Sequence, residues 1–352
     1  MSAKGDINVQ IAAFTAQLQR REISGSRAVA LATAHLISRF VSSRRWPTAD
    51  DLINQVKRLG RELEKAQPHE LACGNIIRRI LKSIRTVDET VELVEAVDDR
   101  ERRSSMFGIL SVPGSGDKST DHMRSRDLKA AVIEDIQVLI EEIGNEEPLQ
   151  RVGTEMINDN EVILTPCPRS VTLLDFFLKV AQKRSFTVLV TECYPNGVED
   201  AKMFAERLTK AGIRTEILPD ATVNAVMSKV SKVIISPRTV LANGGVIASS
   251  GMALPCLAAK NFNKPVLVFA GSYKLSLLYP FDVERLIEVG NSGKVIDFAD
   301  ADLMDKLEVT NPLCDYLGPE LLDIIITTDG GHPPNFMYRI VLDNYSTQDQ
   351  IL

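Results

Sequence analysis

The residues best suited to chemistry in this chain stand just after short apolar runs. Cys167 follows the run 161–165 and precedes Ser170, a good helix N-cap. A thiol between a strand end and a helix start has its thiolate favoured; a buried, inert cysteine is the plainer alternative, since no base partner is evident. Glu192 follows the run 186–191 and suits either binding a hydroxyl or capping its own loop. Asp220 follows the run 214–218 and is placed to cap the next helix through that helix's backbone N–H groups. Asn243-Gly244, beyond the run 232–236, makes a turn that lets backbone approach a ligand closely.

Other chemistries are poorly served. The 4 histidines are dispersed, with His35 in a helical stretch, His122 in a polar segment, and His69 and His332 beside prolines. None has metal-ligand spacing, so no metal is expected. Pro113-Gly114-Ser115-Gly116-Asp117-Lys118-Ser119-Thr120 superficially suggests a phosphate loop. Its spacing fails, because Asp117 separates Gly116 from Lys118 and would face phosphate with a negative charge. No glycine-rich turn follows the first strand, which argues against nicotinamide-dinucleotide binding, and no cofactor is expected.

The elements that must position these residues form a repeating pattern. Strands are expected at 161–165, 186–191, 214–218, 232–236, 265–270 and 322–327. Helices at 171–183, 200–211, 221–231 and about 251–260 alternate with them, and a short helix is expected at 334–343. Continuous apolar strands alternating with helices imply a parallel sheet covered on both faces, whose ligands sit beyond the strands' carboxyl ends. Pro255 should kink or delay the helix that contains it.

Residues 1–158 read instead as helices. Apolar faces begin with Ile11, Phe14 and Leu18, continue over 27–44, and recur at Leu52, Val56, Leu59 and Leu63. A fourth carries Ile76, Ile77, Ile80, Leu81 and Ile84. Pro47 and Pro68 fit the first turns of the third and fourth helices. A flexible loop is expected over about 98–127, followed by a long helix to Ile143. The fold class is therefore α/β: a helical domain at 1–158, then a Rossmann-like parallel-sheet domain at 159–352.

Composition sets the outer limits. The 352 residues suit roughly two domains of about 150 residues each. A hydrophobic fraction of 44% and a charged fraction of 25% are ordinary for a globular protein. No run of about 20 apolar residues suggests a membrane span, and Met1 to Gly5 does not begin a signal peptide. The 5 cysteines contain no Cys-x-x-Cys pair, consistent with reduced thiols in the cytosol. A net charge of −6 leaves no global footprint for nucleic acid. Locally, Lys57, Arg58, Arg61, Arg78, Arg79, Lys82 and Arg85 crowd the third and fourth helices. They form either solvated faces or a surface for an acidic partner.

Several segments, in this order, resemble one family. They are Glu192-Cys193-x-Pro195, Pro219-Asp220-Ala221-x-x-x-Ala225-Val226-Met227, Val233-Ile234-Ile235, and Asn243-Gly244 followed by Gly251. Asn311-Pro312-x-x-Asp315-Tyr316-x-x-Pro319-Glu320 and Gly330-Gly331 complete the pattern, with a looser echo in Ala66-Gln67-Pro68 and Gly74-Asn75-Ile76-Ile77-Arg78-Arg79. The family holds the regulatory subunits (alpha, beta and delta) of eukaryotic translation initiation factor 2B. It also holds aldose–ketose isomerases of methylthioribose 1-phosphate and ribose 1,5-bisphosphate. Within it, the segments 225–235 and 239–244 look most like the beta type.

The resemblance carries functional implications. The isomerases pair a cysteine after the first strand with an aspartate after Asn-Gly. Cys167 matches the cysteine, but Gly245 stands at the aspartate position, and Tyr194 stands where an arginine holds substrate phosphate. Loss of an acid/base group typically costs about 10²–10⁴-fold in rate. The resemblance thus implies a vestigial pocket of Cys167, Glu192, Tyr194, Asp220, Asn243, Gly244 and Gly245, with no catalytic residue. It implies a subunit of a guanine-nucleotide exchange factor for initiation factor two. Delta, alpha, gamma and epsilon subunits in a decamer would be its partners, and the alpha subunit of initiation factor two, in its phosphorylated form, its regulatory input. A sugar-phosphate isomerase is the alternative.

Overall fold

A computed structural model of the protein describes residues 3–104, 118–296 and 306–352. The chain divides into two units, one of Met1–Pro68, Cys73–Gly144 and Asn344–Leu352, the other of His69–Ala72 and Asn145–Asp343.

The first unit is helical. It contains α1 (Ala3–Gln19), α2 (Ser26–Ser43), α3 (Ala49–Ala66), α4 (Leu71–Ser104) and α5 (Lys118–Gly144). The apolar spacing expected for α3 and α4 becomes core: Leu52, Val56, Leu63, Ile76, Ile77 and Ile84 are each 0% exposed. Thr48 caps α3 by accepting the Asp51 N–H at 3.2 Å. Pro47 therefore precedes the cap, and Pro68 lies before α4 begins, so neither occupies the expected first turn. Parts of the loop expected over 98–127 are helical instead: residues 98–104 belong to α4 and 118–127 to α5. Helix α4 runs through the charged residues to Ser104 because no proline or glycine interrupts it, and α5 starts at Lys118. Residues 105–117, which include most of the glycine-rich segment, lie outside the described residues.

The second unit is the α/β domain. After α6 (Glu147–Glu155), β1 (Val162–Thr165), α7 (Val171–Val180), β2 (Thr187–Thr191), α8 (Val198–Lys210) and β3 (Arg214–Leu218) alternate. Then follow α9 (Val223–Val226), β4 (Lys232–Ile235), β5 (Thr239–Val240), β6 (Val246–Ser249), α10 (Ala253–Asn261) and β7 (Val266–Phe269). The domain closes with β8 (Cys314–Leu317), β9 (Ile324–Thr327), β10 (Gly330–His332) and α11 (Met337–Asn344). Among the described residues, one 7-stranded sheet has the order β10-β9-β7-β4-β1-β2-β3. It is parallel except for the β9–β10 pair. The direction of strand succession reverses at β1, so the crevice between β1 and β4 is the natural ligand position.

Two local outcomes differ from the expected elements, and one local expectation is met. The helix expected over 221–231 is a single α turn flanked by 3-10 turns, Asp220–Thr222 and Met227–Lys229. Thr222, Val223 and Val226 are β-branched and disfavour a continuous helix there. Pro255 delays α10 as expected: the helix begins at Ala253 rather than near 251, which puts the proline third, within the first turn, where its missing N–H is not needed. A separate sheet, β5-β6-β8, was not expected; its members pair antiparallel.

Candidate functional site

Cys167 lies at the β1–β4 crevice, and its surroundings determine what it can do. Ser170 caps α7 as expected, its hydroxyl accepting the Leu173 N–H at 3.2 Å. The Cys167 thiol itself is 2% exposed. Its sulfur accepts the backbone N–H of Ser236, just after β4, at 3.2 Å, and lies 3.4 Å from the Met252 sulfur. Burial pushes the thiol up to about 12, and the Ser236 N–H only partly opposes this. Cys167 is therefore a neutral thiol at physiological pH, and the helix end does not rescue its thiolate.

The crevice contains a residue that the sequence reading passed over. Lys274, in the turn after β7, is 6% exposed and donates to the Ser236 hydroxyl at 2.8 Å. Burial lowers its ammonium to about 8, against the raising influence of Glu146 and Cys167. Glu146 is also buried and accepts from Thr172 at 2.8 Å and from the Tyr273 hydroxyl at 3.2 Å. The available signal was positional: Lys274 follows β7 as Cys167 follows β1.

Asp220 does not cap the following helix. Its carboxylate turns to the loop after β2 and accepts the N–H of Cys193 at 3.1 Å and of Tyr194 at 2.9 Å. Cys193 has φ 55°, a left-handed backbone that this carboxylate helps to hold. Burial raises the Cys193 thiol to about 11, with the Thr191 hydroxyl opposing. Tyr194 projects outward, 60% exposed, and its hydroxyl donates to the Val295 carbonyl at 3.2 Å. Glu192 is half-buried, and its backbone N–H continues the sheet by donating to Leu218 at 2.9 Å.

The Asn243-Gly244-Gly245 turn joins β5 to β6 in the smaller sheet. Gly244 has φ 81°, and a Cβ there would stand 2.1 Å from the Pro334 carbonyl, so glycine is required twice over. Asn243 donates to the Tyr316 hydroxyl at 2.9 Å and accepts the Gly245 N–H at 3.0 Å. A Cβ on Gly245 would lie 2.7 Å from the Tyr316 hydroxyl and 3.1 Å from the Leu317 carbonyl. One carboxylate from the same motif serves the scaffold. Asp315 accepts the N–H groups of Gly251 at 2.8 Å and Ala253 at 3.0 Å, capping α10 from β8. Asn311, 1% exposed, exchanges hydrogen bonds with Asn196 at 2.8 and 3.2 Å.

The basic residues of α3 and α4 belong to the helical unit, and most are engaged within it. Lys57 lies 2.9 Å from Asp349, and Arg85 forks onto both carboxylate oxygens of Asp349 at 2.9 and 3.0 Å. Burial pushes the Asp349 carboxyl up, but hydrogen bonds and charge from Arg85 and Lys57 outweigh it and hold it below the usual range. Arg78 pairs with Glu64 at 2.7 Å, and Arg61 donates to the Leu352 carbonyl at 2.7 Å. Arg79 forks onto Glu142 of α5 at 2.8 and 3.3 Å. Arg58 is exposed and Lys82 half-buried.

A surface of another kind lies at the end of the α/β domain. Phe281 is 90% exposed and its ring centroid is 5.9 Å from that of Tyr279. Tyr338 and Phe336 are also exposed. Among the described residues, no group of His, Cys, Asp and Glu is arranged to hold a metal. No described helix is long and apolar enough to cross a membrane.

The initiation factor 2 subunit family model matches residues 22–334. The chain belongs to that family. Translation initiation factor eIF2B subunit beta of Schizosaccharomyces pombe is similar at 35% identity, covering 97% of this chain and 97% of the relative. Ribose 1,5-bisphosphate isomerase of Pyrococcus furiosus is 24% identical, covering 94% of this chain and 92% of the relative. Among solved structures, eIF2B beta of Chaetomium thermophilum superimposes with a TM-score of 0.77 at 25% identity, over 100% of this chain and 95% of that one. A chain of the tetrameric eIF2B-beta2-delta2 complex from C. thermophilum gives 0.73 at 26% identity, over 96% and 95%. The helical region followed by a mostly parallel sheet is thus the fold of this family, as the motif pattern implied.

Proposed function

We propose that the chain is a non-catalytic regulatory subunit of the exchange factor that acts on translation initiation factor two, working in the cytosol. The observation that carries this reading is the occupied space beside Gly245. The position that supplies an acid in the isomerases has no side chain, and Tyr316 and Leu317 fill the volume that one would enter. The outward Tyr194 supports the same reading, since no phosphate-binding cation remains at that position. Its similarity to eIF2B beta is greater in identity than its similarity to the isomerase.

Assembly with a delta-type subunit is supported by the exposed Tyr279–Phe281 pair and the exposed Phe336 and Tyr338 on the α/β domain. Exposed aromatic groups of this size are typical anchors of protein interfaces. Alpha, gamma and epsilon subunits complete the complex in this proposal, and exchange chemistry belongs to another chain. The subunit helps sense phosphorylation of the initiation factor two alpha subunit through the assembled helical surfaces. Its own cations act largely as architecture, because Lys57, Arg61, Arg78, Arg79 and Arg85 have partners inside the helical unit.

The test is affinity purification of the tagged chain from its own cells, combined with turnover assays on ribose 1,5-bisphosphate and methylthioribose 1-phosphate. Co-purification of delta- and epsilon-type subunits without turnover is expected. Substantial turnover by the isolated chain would overturn the proposal.

A further inference from the structure

The last residues of the helical unit dock onto α3 and α4 as a peptide docks on a receptor. Of residues 345–352, Tyr345, Asp349 and Leu352 are buried, at 2%, 0% and 6% exposure. Thr347, Gln348, Gln350 and Ile351 between them are exposed, Ile351 by 84%. The three anchors, spaced i, i+4 and i+7, lie on one side of the segment, and the residues on its other side face solvent.

The receptor side is built for the two later anchors, Asp349 and Leu352. Lys57, Gly60, Arg61 and Glu64 follow i, i+3, i+4, i+7 on α3, and Gly74, Ile77, Arg78 and Arg85 share a face of α4. Lys57 and Arg85 grip the Asp349 carboxylate. Arg78 reads main chain rather than side chain: its Nε donates to the carbonyls of Asp349 at 3.2 Å and Gln350 at 3.4 Å. Glu64 fixes that guanidinium, and Gly74 leaves room for the pair, since a Cβ there would lie 2.2 Å from the Glu64 carboxylate. Gly60 opens the seat for Leu352, whose Cδ1 would be 3.0 Å from a Cβ at that position. Arg61 holds the Leu352 carbonyl. Side-chain anchors combined with main-chain contacts are how proteins recognise short peptides.

We propose that α3 and α4 form a binding cleft for short acidic peptides, whose resident ligand is the chain's own Tyr345–Leu352 segment, held as a detachable strap. The ligand class is a peptide with an aromatic residue four positions before an aspartate and a leucine three positions after it. The inference goes beyond the subunit assignment and does not depend on it. Its consequence for partners is direct. Lys57 and Arg85 become available to an acidic segment of another protein only when the strap leaves.

Two measurements on the full chain test this. Hydrogen exchange of the 345–352 amides is compared between the wild type and Asp349→Asn, with the β1–β2 amides as internal control. In the variant, exchange in 345–352 is expected to rise at least tenfold while the control stays unchanged. No change in the segment, or an equal rise in the β1–β2 control, overturns the strap. Separately, a fluorescent synthetic peptide of sequence 345–352 is titrated onto the Asp349→Asn chain, whose own strap is loosened. Saturable binding is expected, weakened at least tenfold when the peptide itself carries Asp349→Asn or when Arg85→Ala is added to the chain. Absence of binding, or equal binding of both peptides, refutes the cleft.

Discussion

The hydroxyl of Tyr316 stands 2.7 Å from the point where a side chain on Gly245 would begin. The pair is held in place by Asn243, which donates to that hydroxyl and accepts the Gly245 N–H. An acid introduced at 245 must first displace an aromatic ring. Gly245→Asp is therefore expected to lower stability by about 1–3 kcal/mol, the usual range for forcing atoms into a packed site. It is expected to yield no sugar-phosphate turnover. Pairing it with Tyr316→Phe should recover part of the loss, and urea unfolding of the three variants measures both effects.

Lys274 makes stability depend on pH in the alkaline range. Folding lowers its pKa from an ordinary value near ~10.4 to about 8. Between those values an unfolded Lys274 holds more proton than the folded one, so its own contribution rises with pH, by up to roughly 1.4 kcal/mol per unit. The thiols of Cys167 and Cys193 oppose it, since the pKa values that burial raises make stability fall over the same range. Below the folded value both states of the lysine are protonated and its contribution is flat. Lys274→Met should make stability fall more steeply with pH than in the wild type; unfolding midpoints from pH 7 to 10 that keep the wild-type slope would exclude a contribution from this lysine.

Asp349 acts at the other end of the scale. Its folded pKa is depressed, so its contribution is complete above the unfolded value of about 3.9 and is lost as pH falls through the folded one. Asp349→Asn should cost less than about 3 kcal/mol near neutrality, because Lys57 and Arg85 keep some access to water. The difference between variant and wild type should shrink on acidification. Thermal melts between pH 3 and 7 read it directly.

Thiol reactivity separates the cysteines. Cys193 is half-buried, whereas Cys73, Cys167, Cys256 and Cys314 are buried. Alkylation of the native protein at neutral pH should modify Cys193 first, slowly because its thiol is raised to about 11. Cys167→Ser should leave assembly and exchange stimulation nearly unchanged. Peptide mapping after timed labelling, and subunit composition of the variant complex, check the two statements.

The aromatic face should behave as an interface. Phe281→Asp with Tyr338→Asp removes exposed apolar surface from the isolated chain, so its melting temperature should move little. Recovery of a delta-type partner on co-expression should fall at least tenfold. Unchanged recovery would place the interface elsewhere.

The parts legible in sequence were those set by local periodicity. The strands β1, β2, β4, β7 and β9 announced themselves as apolar runs, and α3 and α4 as apolar stripes. The smaller sheet was hidden because β5 has only two residues and β8 reads as a polar, motif-bearing loop. The site was harder for a related reason. Asp220 is a good N-cap by position, but two N–H groups presented by the β2 loop captured its carboxylate, a tertiary competition that no local pattern encodes. The cations of α3 and α4 were visible at once. The carboxylate that engages Lys57 and Arg85, Asp349, lies 264 positions from Arg85, and so their employment was invisible.

The division of the chain has a consequence for its synthesis. The helical unit includes both residues 1–68 and residues 344–352, whereas the α/β domain draws almost entirely on 145–343. A ribosome therefore finishes the later-encoded domain before the earlier-encoded one. Helices α1 to α5 must wait through the making of some two hundred further residues before Tyr345, Asp349 and Leu352 arrive. For that whole interval the cations of α3 and α4 are presented without Asp349, a window in which chaperones or a neighbouring nascent subunit have access that the finished chain withdraws.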